Sequence, residues 1–101
     1  MDNNINHYLP KIVAKYLADQ YGDQLEEMPL STKLLLIHVL SGGLHELETC
    51  PYPINYSFVD YCHGKGMADD LLDGVLPLLE QFDKYDSSTV QAILLVLALS
   101  M

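Results

Sequence analysis

The stretch "TVQAILLVLALS", residues 89–100, constrains this chain more than any other, because it is apolar without a break from Ala92 to Leu99. A bilayer needs about 20 such residues, so the run is too short to span one. Strand-type alternation is not sustained anywhere in the sequence, so no sheet is at hand to receive it. Asp86 and Ser87 stand just before it as N-cap signals. The stretch therefore reads as a helix that is apolar nearly all round, and such a helix has to be covered by the rest of the chain. The expected fold class is all-α, an irregular bundle of four to five helices with the apolar C-terminal helix at its centre. Residues 1–101 are expected to form a single helical domain.

The covering helices show in the period of apolar residues. Ile5, Tyr8, Leu9, Ile12, Val13, Tyr16, Leu17 and Tyr21 recur at three and four, which predicts one face of a first helix. Asn3 or Asn4 caps it, Pro10 falls in its first turns, and Gly22 stops it. Lys15 and Asp19 are spaced for an i,i+4 pair on its wet side. After the acidic connector "DQLEEMP" a second helix is predicted, with Ser31 as N-cap and Leu34, Ile37, Leu40, Leu44 and Leu47 on one face. Gly42-Gly43 interrupts it, each glycine costing about 1 kcal/mol relative to alanine. Either the helix bends or divides there, or Ser41 and Gly42 admit another backbone at close range. Pro51 and Pro53 end it. A short third helix from Asn55 to His63 follows. A fourth runs from Met67 to Tyr85 and buries Leu71, Leu72, Val75, Leu78, Leu79 and Phe82, with a kink or break near 73–77 caused by Pro77.

Half of the residues are hydrophobic, enough for a core without disulfides or metal. Fourteen acidic residues stand against five basic ones, all lysine, for a formal net charge of −9. Nucleic-acid affinity comes largely from Lys and Arg on phosphates, so direct nucleic-acid binding is disfavoured, and so is an anionic membrane surface. A basic protein partner is favoured, because charge steers encounter; the acidity also serves solubility. The segment "MDNNINHYLPK" has no basic region followed by an apolar run, so no secretory signal is expected. The expected location is cytoplasmic, with the two cysteines reduced and a Cys50–Cys62 disulfide not formed.

The residues of reactive type gather in "HELETCPYPINYSFVDYCH", residues 45–63. His45, Cys50, Cys62 and His63 are a ligand set that zinc accepts, but their spacing fits no standard zinc pattern. Cys62 and His63 are consecutive and would diverge by about 100° on a helix. Cys62 reads as a small buried hydrophobe on the face of Phe58, and His63 as a residue near a helix C-terminus. His38 and His45 lie about 10.5 Å apart along a continuous helix, too far to share one ion. No thiol-enzyme signature, calcium loop or di-iron motif occurs. The expectation is no catalytic residue, no metal and no cofactor.

The partner-binding surface is expected at Tyr52, Tyr56 and Tyr61, since tyrosine joins apolar area to a polar handle. Asp69, Asp70, Asp73, Glu80 and Asp83 on the fourth helix extend it as a negative row, which in its sharper form mimics nucleic-acid phosphates. The expected function is a small, acidic, non-enzymatic protein-binding module. It would be an adaptor or an inhibitor of the immunity type, a profile shared with small regulatory proteins of phages and mobile elements. The alternatives are a structural homodimer built on the last helix or on Ser41–Gly43, and a metal or thiol protein using His45, Cys50, Cys62 and His63.

Overall fold

The computed structural model describes residues 4–49, 57–67 and 74–101. A 3-10 turn (Ile5–His7) leads into α1 (Lys11–Tyr21), α2 (Leu30–Thr49), α3 (Phe58–Gly64), α4 (Leu76–Phe82) and α5 (Ser87–Leu99). No strand occurs among the described residues. The architecture is the all-helical irregular bundle that the apolar pattern predicts.

The single first helix expected from Ile5 is two pieces. Pro10 has no N–H to give and adopts φ −54°, ψ 147°, so α1 starts only after it. Asn4 still acts as a cap, its Oδ1 accepting from the Asn6 N–H at 2.9 Å, but it caps the 3-10 turn. The break rotates the predicted face. Ile5, Leu9, Val13, Ala14 and Leu17 are buried, while Ile12 is 81% exposed. Gly22 ends α1 at φ +90°, its N–H donating to the Ala18 carbonyl. The acidic connector then folds back: the Ile5 N–H donates to the Asp23 carbonyl at 2.8 Å and that of Glu27 to Tyr21 at 2.9 Å. Leu25 takes φ +56° there, a conformation that L-residues avoid at a cost of roughly 1–2 kcal/mol, and its side chain is wholly buried.

α2 begins at Leu30, so Ser31 lies in its first turn and not at its cap. It passes through Gly42-Gly43 as one continuous helix. Its buried stripe is Lys33, Leu36, Val39, Leu40 and Gly43, whereas Leu34 is half exposed. Residues 34–37 are all apolar, so periodicity does not choose a face; contact with α5 and α3 does. The buried Lys33 donates from Nζ to the Ser100 carbonyl at 3.0 Å, which places a cation on the C-terminal end of α5. With Leu44 and Val90 meeting at the other end, α2 and α5 run antiparallel.

α3 starts at Phe58, later than expected. The interruption expected near 73–77 is a break: Gly74 and Val75 form a turn, α4 starts at Leu76, and Pro77 sits in its first turn, where no N–H is needed. α5 buries Val90, Ile93, Val96 and Leu97 and leaves Leu95 half exposed. No helix among the described residues is long and apolar enough to cross a membrane.

Asp86 is the N-cap of α5, its Oδ1 accepting from the Thr89 N–H at 2.8 Å. Hydrogen bonds from Thr89, side chain and then backbone, hold its pKa below the usual carboxylate value. A pKa lowered by folding contributes stability above the unfolded pKa, and that contribution is lost as pH falls through the folded one. Urea unfolding at a series of pH values should therefore show Asp86→Asn less stable than the wild type near neutrality. The gap should close as Asp86 protonates in acid; a gap that persists unchanged there would contradict the charge-based account.

Candidate functional site

α3 is short, and its position is fixed from several directions. Ser57 forms a capping box: its Oγ accepts from the Asp60 N–H at 3.0 Å, and the Asp60 Oδ2 accepts from the Ser57 N–H at 3.4 Å. The next orphan donor of the helix, the Phe58 N–H, is taken by the Oδ1 of Asp83 at the C-terminal end of α4, at 2.7 Å. At its other end Lys65 pairs with Glu46 of α2 at 3.1 Å and sits 5.6 Å from the centre of the Tyr61 ring. The hydrogen bond and charge of Glu46 raise the pKa of Lys65.

The rings of α3 explain the paired glycines. A Cβ on Gly43 would stand 2.6 Å from the Phe58 ring, and one on Gly42 would stand 2.5 Å from Cζ of Tyr61. The notch thus admits two aromatic side chains, not a neighbouring backbone. Ser41 takes no part in it, since its Oγ donates back to the Ile37 carbonyl at 2.6 Å. Tyr61 is only 5% exposed, so its ring serves the junction of α2 with α3.

Beside this junction lies a crevice of about 80 Å³ between α2, α3, α4 and the start of α5. Phe58, Phe82 and Val90 form its buried floor, and Leu44 and Tyr85 are its half-buried walls. Asp83 and Ser87 stand exposed at the rim. Burial pushes the Asp83 carboxyl up, the Phe58 N–H pulls against it, and the negative charges of Asp60 and Glu80 push it further up. Asp83 therefore stands at the rim of the crevice with the negative charges of Asp60 and Glu80 acting on it.

No family model, curated protein or solved structure matches the chain.

Of the residues expected at the partner surface, Glu80 and Asp83 are exposed and brought together. Tyr61 is built into the helix junction, and Tyr52, Tyr56, Asp69, Asp70 and Asp73 lie outside the described residues. Sequence reasoning missed Asp60, Leu44 and Tyr85. For Asp60 a signal was present, the S-x-x-D spacing from Ser57 that marks a capping box. Cys62 is wholly buried, and desolvation, then the charge of Asp83, raises its pKa, so the thiol stays protonated and poorly nucleophilic. His38, His45 and His63 are exposed, Cys50 lies outside the described residues, and no three His, Cys, Asp or Glu among the described residues are placed to hold a metal ion.

Three of the five lysines are engaged within the chain. Lys15 pairs with Asp19 at 3.0 Å, Lys65 with Glu46, and Lys33 is buried on the Ser100 carbonyl. Lys11 and Lys84 remain exposed without an ion pair among the described residues.

Proposed function

We propose that the protein is a non-enzymatic, acidic protein-binding module, an adaptor or inhibitor acting on a basic protein partner in the cytoplasm. The observation that supports this reading is the placement of charge. The charges of Asp60 and Glu80 act on Asp83 at the rim of the crevice, while Lys33 is buried on the Ser100 carbonyl and Lys15 and Lys65 are paired with acids of their own chain at its surface. A surface so arranged draws a positive partner by long-range attraction and repels phosphate backbones. A second reading, self-association, has the half-exposed Leu34 and Leu95 in its favour, since they lie on two helices already packed together.

The test is capture of the partner by tagged protein from cells of its own source, washed at about 0.1 M and about 1 M salt. Between these the Debye length falls from about 10 Å to about 3 Å. One dominant basic protein should be recovered, released by the higher salt, and weakened by Glu80→Lys. A dominant partner that is not basic, or one held equally at both salts and by the Glu80→Lys variant, would overturn the reading.

A further inference from the structure

The crevice beside α3 has features that a general acidic surface lacks. Its floor of Phe58, Phe82 and Val90 is apolar, and its volume of about 80 Å³ is several times what one water requires. Its walls, Leu44 and Tyr85, are half-buried carbon surface of the kind on which a long aliphatic stem lies well. At its rim a carboxylate is already partly used: the Oδ1 of Asp83 is held by the Phe58 N–H, and its Oδ2 has no partner among the described residues. The ionised groups acting on that carboxylate, Asp60 and Glu80, are both negative. A neutral apolar group entering here would leave this charge uncompensated, whereas a cation on an apolar stem would meet both parts of the site.

We infer that the crevice receives a lysine side chain of the basic partner, its stem against Leu44 and Tyr85 and its ammonium at the Oδ2 of Asp83. Lysine fits better than arginine. A guanidinium gains most from a forked contact with both carboxylate oxygens, and here Oδ1 is committed to Phe58. An ammonium is a point donor and needs one oxygen. The inference rests on the basic-partner reading and gives that partner a contact chemistry.

The experiment compares three capped amino acids as probes of the whole protein by NMR titration: N-acetyl-lysine methylamide, the arginine equivalent, and the norleucine equivalent, which keeps the stem and lacks the charge. Lysine should shift the amide signals of Leu44, Tyr85 and Ser87 saturably. Norleucine should bind roughly tenfold more weakly, the size of one charge-assisted hydrogen bond, and arginine no better than lysine. Asp83→Asn keeps an oxygen for the Phe58 N–H and should abolish the preference for lysine over norleucine. The comparison of probes on the wild-type protein decides the matter even where that variant fails to fold. Equal shifts from norleucine, tighter binding of arginine, or lysine shifts centred instead on the connector around Asp23 and Glu27 would overturn the inference. Its failure leaves salt-labile capture of a basic partner intact, because that capture reads the whole acidic surface. Lysine binding in the crevice without any such capture would sink the partner reading alone.

Discussion

Gly43→Ala will destabilise the protein by about 1–3 kcal/mol, the range for overpacking a filled site. This outcome runs against local preference, since alanine improves on glycine in a helix interior by about 1 kcal/mol. The reason is the Phe58 ring, 2.6 Å from where the new methyl would stand, with its Cε1 at 2.8 Å. Phe58 has little room to yield: it is 5% exposed, and its own N–H is fixed by Asp83. Phe58→Ala removes the obstacle at its own cost of about 3–5 kcal/mol. In that background Gly43→Ala should change sign and stabilise, by up to about 1 kcal/mol. Urea midpoints of the four proteins form a double-mutant cycle, and the coupling should be about 1–4 kcal/mol. A Gly43→Ala variant more stable than the wild type would show that the glycines are not there to admit the rings.

Lys33 gives the second large effect. Its stem is buried on the core side of α2 and its Nζ supplies a donor to the Ser100 carbonyl at the end of α5. Lys33→Ala loses the stem, at about 0.8 kcal/mol per buried methylene, and leaves the carbonyl without its donor. The expected cost is about 2–4 kcal/mol. Lys33→Met keeps most of the stem and should cost less than about 1.5 kcal/mol. Chemical denaturation of both variants separates the two contributions. Equal losses for alanine and methionine would mean that the ammonium, not the stem, carries the effect. Hydrogen exchange at the last turn of α5 should quicken in both, because the cap of that helix end is gone.

What was legible in the sequence follows how local the cause is. The start of α5 was readable because Asp86 caps it from three residues away. The stop at Gly22 and the pair Lys15–Asp19 are equally local. The division at Pro10 was missed because a proline in a first turn and a proline that begins a helix look alike until the upstream turn is known. The buried face of α2 was placed in part, with Leu40 buried and Ile37 and Leu44 packed against the core, but Leu34 was wrongly included because residues 34–37 are uniformly apolar. At Gly42-Gly43 neither the expected bend or division nor the approach of a backbone is found; the glycines admit two rings of α3, which could not be named from periodicity. The crevice was illegible for the same reason. Its central hydrogen bond joins Phe58 to Asp83, 25 residues apart, and the burial of Lys33 depends on Ser100, 67 residues away.

The internal use of the lysines has a consequence for how copies of this protein treat one another. Each copy carries a formal charge of −9, and its cations are largely folded into its own ion pairs and helix ends. Two copies approaching through Leu34 and Leu95 therefore meet repulsion before contact, and added salt relieves it. Added salt has the opposite effect on an encounter with a basic partner. The two proposed modes of association should therefore respond to ionic strength with opposite sign, dilute electrolyte opposing contact between copies and favouring contact with a cationic molecule.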